Sequence, residues 1–89
     1  MSIRIEDGAR FVEFRDSKWT FGDRRAILAA PDDVAALETV LPYVVSWSLP
    51  VPVTQSVDGL NEAEDDDVVF VIRSWFRARE QRSGLPKAS

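Results

Sequence analysis

Residues 2–15 read Ser2-Ile3-Arg4-Ile5-Glu6-Asp7-Gly8-Ala9-Arg10-Phe11-Val12-Glu13-Phe14-Arg15. Apolar and polar residues alternate on both sides of Asp7-Gly8. That dipeptide favours a two-residue type I′ turn, because both central positions need φ > 0. The stretch is therefore expected to fold as a β-hairpin. Centring the turn on Asp7-Gly8 sets Glu6 against Ala9, Ile5 against Arg10, Arg4 against Phe11 and Ile3 against Val12. Ile3, Ile5, Val12 and Phe14 then share one face, while Arg4, Glu6, Phe11 and Glu13 share the other. A lone hairpin is marginal in water, so its apolar face must rest on helices. Each of its two strands also keeps a free edge, a route to self-association or to strand addition by a partner.

The rest of the chain reads as helical. After the connection Asp16-Ser17-Lys18-Trp19, Thr20-Phe21-Gly22-Asp23 fits a capping pattern with Thr20 as N-cap. A short helix is expected through about Ala30, with Phe21, Ile27 and Leu28 as its apolar contacts and Arg24 and Arg25 pointing elsewhere. Pro31-Asp32-Asp33 suits the start of a second helix. Val34, Leu37, Val40, Leu41, Val44 and Val45 continue at helical spacing, and Pro42 predicts a kink or break over 38–41. Trp47 and Leu49 end that segment, and Pro50 and Pro52 favour an extended link. Thr54 is expected to cap one helical turn over 55–58 closed by Gly59, with Leu60 packing back. A last helix starts at Asn61. It carries Glu62, Glu64, Asp65, Asp66 and Asp67 at one end and Arg73, Arg77, Arg79 and Arg82 at the other, matching the helix dipole. It is expected to end near Ser83-Gly84, leaving 85–89 as a frayed tail. The fold class is α+β: an N-terminal β-hairpin packed on a small bundle of three to four helices, in one domain over 1–84.

Composition narrows the function. The 89 residues contain no cysteine and no histidine. The common zinc ligands and the usual general base near neutral pH are therefore absent, as are nucleophiles that depend on histidine. The net charge of −4 argues against nucleic acid as the main partner. No apolar run is long enough to span a membrane, and Met1-Ser2-Ile3-Arg4 lacks the apolar core of a signal peptide. These features imply a cytoplasmic, non-enzymatic protein with no catalytic, cofactor or metal site. The acidic run at 62–67 has consecutive carboxylates without a glycine turn, so it reads as dipole compensation or as a docking surface for a basic partner rather than a calcium loop.

The last helix sharpens this. At 100° per residue, Val68, Val69, Val71, Ile72, Trp75 and Phe76 form one apolar sector. Phe70 falls opposite, beside Asp66, Arg73 and Arg77. Either the helix is buried on both sides, or Phe70 is a single scattered surface apolar residue, or it meets another chain. Phe11 raises the same question on the hairpin's polar face, where it either covers the stem of Arg4 or meets a partner. Phe11, Phe70, Arg73, Arg77 and Asp66 are thus the expected partner-binding residues. Trp19, Trp47 and Trp75 read as core.

The run Val44-Val45-Ser46-Trp47-Ser48-Leu49, followed by Val53-Thr54 and by Leu60 before an acidic helix start, resembles small proteins encoded among the tail genes of long-tailed actinobacterial phages. The opening is similar too: a β segment ending in Arg15-Asp16, then Asp23-Arg24-Arg25 leading a helix. The resemblance implies a tail-assembly chaperone that binds the tape-measure or tail-tube protein in the host cytoplasm. Two other readings remain beside it: a structural minor tail subunit kept in the virion, and a small host-directed regulator.

Overall fold

The computed structural model describes residues 2–83; the tail expected over 85–89 lies outside them. Strands β1 (Ser2–Asp7) and β2 (Arg10–Arg15) form the hairpin. Asp7 pairs with Arg10, Glu6 with Phe11, Ile5 with Val12 and Ile3 with Phe14. The turn is therefore centred on Gly8-Ala9, one residue later than expected. Gly8 has φ of +64°, and Lys18 is the one non-glycine with positive φ among the described residues. Ala9 is thus excluded from a type I′ turn, and glycine as first central residue marks type II′. The changed register moves each partner by two positions, which preserves strand parity. The faces consequently stand as expected: Ile5, Val12 and Phe14 are buried and Ile3 packs against them.

Thr20 caps helix α1 (Phe21–Leu28), its Oγ1 accepting from the Asp23 amide at 3.1 Å. Asp32 caps α2 (Asp33–Val40) by accepting from the Ala35 amide at 2.9 Å. The break at Pro42 is complete. α2 stops at Val40, a single 3₁₀ turn covers Leu41–Tyr43, and the chain becomes strand β3 (Val44–Trp47). Val44 and Val45 are therefore not helical. The helix-like spacing led across a proline that had already removed a donor and crowded the preceding turn. The β-branched pair is stable instead in a ladder with β2, where Val12 meets Trp47 and Glu13 meets Ser46. A bulge between Glu13 and Phe14 leaves Val45 turned out to solvent.

The sheet therefore has three antiparallel strands in the order β1-β2-β3. The free edge expected on β2 is taken by β3, and β1 is left as an edge. Thr54 bonds its own neighbour, accepting from the Ser56 amide at 3.0 Å, so the short 3₁₀ turn begins later, at Val57–Leu60. Gly59 lies against Thr54, where a Cβ would come within 2.7 Å of the threonine methyl. Leu60 packs into the core as expected.

Helix α3 (Asp65–Ser83) starts four residues after Asn61, once the Glu64 carbonyl accepts from the Asp67 and Val68 amides. It packs against β1, β2 and α2. Contact on several sides buries Phe70, Val71, Ile72, Ser74, Trp75 and Ala78, a wider surface than the expected apolar sector. Trp75 and Tyr43 are almost fully enclosed, and Trp19 stacks on Trp75 with centroids 5.4 Å apart. No helix among the described residues is long and apolar enough to cross a membrane.

Candidate functional site

Three surfaces carry concentrated polar or aromatic groups. The first is the outer face of the sheet, where side chains alternate away from the core. Phe11 lies here, half-buried, with the Arg4 guanidinium 3.8 Å from its ring centroid. Arg4 also binds Glu6 at 2.6 Å and Glu13 at 3.2 Å. Glu13 accepts from Ser2 Oγ at 2.7 Å and from Ser46 Oγ at 3.0 Å. Those two hydroxyls, followed by Arg4, hold its carboxyl below the ordinary carboxylate range. This face is internally satisfied: its aromatic is covered and its charges are matched.

The second surface is a cleft of about 360 Å³ between α3 and the hairpin tip. Four of the five expected partner residues, Asp66, Phe70, Arg73 and Arg77, line it together with Asp7 and Arg10. Their grouping follows from positions three and four apart along one helix. Phe70, however, is only 6% exposed. Arg10 reaches over it, 5.0 Å from the ring centroid, while pairing with Asp7 at 3.4 Å and Asp67 at 3.5 Å. Phe70 is therefore a core side chain roofed by an arginine, not an open contact. A helix face that looks charged in a wheel diagram is covered here by the hairpin. Phe11 sits on the opposite side of the sheet from Phe70, so the five residues do not form one surface.

The third surface was not assembled by sequence reasoning. It runs along the outward side of α1 and into a cleft of about 210 Å³ lined by Trp19, Thr20, Phe21, Arg24, Trp75, Arg79 and Arg82. Of the α1 residues only Ile27 is buried. Phe21 is 70% exposed and Leu28 is 58% exposed, contrary to the expectation that both pack inward. Phe21, Arg24, Arg25 and Leu28 recur at helical spacing, so one helix face presents two apolar groups and two arginines to solvent. Arg82 pairs with Asp16 at 3.6 Å and lies over Trp19. Arg24 and Arg79 have no hydrogen-bond or ion-pair partner among the described residues. Trp75 Nε1 is buried without an acceptor among the described residues. The spacing of Phe21, Arg24, Arg25 and Leu28 was a usable signal on α1. The approach of Trp75 and Arg79 from α3 had none.

The cleft is held in place from below. Arg15 donates to the carbonyls of Ser17 (2.9 Å), Lys18 (3.1 Å) and Pro42 (2.7 Å) and lies 4.3 Å from the Tyr43 ring centroid. Trp19 Nε1 donates to the Arg15 carbonyl at 2.7 Å. Tyr43 donates to Asp23 at 2.8 Å, which ties α1 to the core. Burial, then this bond, raises the Tyr43 phenol above its ordinary value. Among the described residues, no group of three or more acidic side chains is placed to hold a metal ion, the 62–67 run included. Compared with protein-family models, curated proteins and solved structures, the chain matches none.

Proposed function

We propose that this chain is a non-enzymatic factor that binds another protein through the α1–α3 flank. The observation that carries the reading is the outward side of α1, where Phe21 and Leu28 stand 70% and 58% exposed beside Arg24, which has no ion-pair partner among the described residues. Large apolar groups clustered on a small surface and rimmed by charge are characteristic of interaction sites. Burying one such side chain in a partner contributes about 1.5–3 kcal/mol. The rigid seat beneath them, built from Arg15, Trp19 and Tyr43, lowers the entropy lost when a partner docks.

The partner class follows from the resemblance to small tail proteins of actinobacterial phages, and that resemblance alone supports it. On this reading the chain is a tail-assembly chaperone acting in the host cytoplasm on the tape-measure or tail-tube protein. The test is co-expression with each of those proteins from the same genome, followed by co-purification and by mass spectrometry of finished virions. A stable complex together with absence from the virion supports the chaperone role. Presence in the virion would make the chain a structural tail subunit instead, and failure to bind either protein would remove the tail assignment.

A further inference from the structure

We infer that the cleft between α1 and α3 recognises an acidic segment of a partner protein, seating a side-chain carboxylate between Arg24 and Arg79 and an apolar side chain against Phe21. This rests on the protein-binding reading above and specifies the chemistry of the segment bound.

The lining of the cleft is one-sided. Arg24, Arg79 and Arg82 contribute guanidinium groups, Arg82 already paired with Asp16, and Trp19, Phe21 and Trp75 contribute aromatic rings. Guanidinium groups donate and never accept. The Thr20 oxygen already accepts from the Asp23 amide. Among the described residues no carboxylate lines the cleft, in contrast to the cleft on the other flank of α3, where Asp7 and Asp66 stand among the arginines. Two requirements converge: the charge needs an anion, and the exposed Phe21 needs apolar cover.

A free inorganic anion would satisfy the arginines and leave Phe21 in water. Nucleic acid would bring a continuous line of phosphates toward a chain of net charge −4. A peptide carrying Asp or Glu next to Leu, Phe or Trp meets all the requirements at once, and planar carboxylates match the guanidinium fork. A second copy of this chain, offering its own 62–67 acids, is the competing occupant and is separated by the test.

The test is selection from a random short-peptide library displayed on phage, with the intact chain as bait and the Arg24→Glu/Arg79→Glu variant as counter-bait. The account expects enriched peptides to combine Asp or Glu with a large apolar residue and to bind the variant at least about tenfold more weakly. Added salt should weaken binding to the native chain. In ¹⁵N-labelled protein, the Phe21 and Arg24 amide resonances should move on adding the selected peptide. The inference is overturned by enrichment without acidic residues, by no enrichment, by equal binding to the variant, or by unmoved Phe21 and Arg24 amides. It is also overturned if sedimentation shows the native chain self-associating and the variant monomeric, because the occupant is then a second copy. If the whole partner protein binds the variant as tightly as the native chain, the function proposed above stands and this inference alone fails.

Discussion

The outer face of the sheet and the α1–α3 flank are built from the same residue types, an aromatic ring with arginines around it, yet they differ in what is left over. On the sheet, Arg4 covers Phe11 and is itself matched by Glu6 and Glu13, while Ser2 and Ser46 complete the carboxylate. On the flank, Phe21 is uncovered, and Arg24 and Arg79 have no ion-pair partner among the described residues. An aromatic near arginines therefore does not by itself mark a binding surface. What marks it is interaction capacity the fold does not use. The hairpin spends its polar groups on itself, and α1 does not.

Substitutions can break that contrast, and their expected effects on stability form a series. Trp75→Ala removes a fully buried ring that Trp19 stacks on and Phe76 meets edge-on, and should destabilise by about 3–5 kcal/mol in urea unfolding. Arg15→Ala removes three carbonyl contacts, two to the connection at 16–19 and one to Pro42, and should cost about 2–3 kcal/mol. Equal stability of that variant would show that the flank does not depend on Arg15. Phe11→Ala loses the Arg4 contact and should cost about 1 kcal/mol while leaving partner binding intact.

The two titratable groups sharpen the contrast through pH. Glu13 has a depressed folded pKa, so its contribution is present above the ordinary value of 4.5 and is lost as pH falls through the folded value. Glu13→Gln should therefore flatten the acid limb of the stability profile. Tyr43 has a raised folded pKa, so its contribution is complete below 10.0 and is lost as pH rises through the folded value. Tyr43→Phe should flatten the alkaline limb, and an unchanged limb in either variant would contradict the assigned bonds. The smallest stability effect is expected for Phe21→Ala, within about 0.5 kcal/mol, because the ring is already in water.

The parts of the fold visible in the sequence were those fixed by local chemistry. Alternation and the glycine turn specified the hairpin and its faces, even though the turn slid by one residue. Thr20 and Asp23 specified the α1 cap, and Pro42 specified the break. Strand β3 was not visible. Val44 and Val45 kept helical spacing with Val40 and Leu41, and only the open edge of β2, a tertiary feature, selects the extended form. The clustering of Asp66, Phe70, Arg73 and Arg77 was legible because it lies along one helix. The burial of Phe70 was not, since its cover is Arg10, distant in sequence. The α1–α3 cleft joins residues from 19–24 with residues from 75–82, and no spacing rule connects those segments.

The most direct measurement compares the affinity of the co-purifying partner, by isothermal titration, for Phe21→Ser/Leu28→Ser and for Phe11→Ser, at a temperature where all three proteins are folded. The account predicts at least about a tenfold loss for the α1 variant and a change within about twofold for the hairpin variant. Loss of binding in the Phe11 variant with the α1 variant unaffected would contradict it.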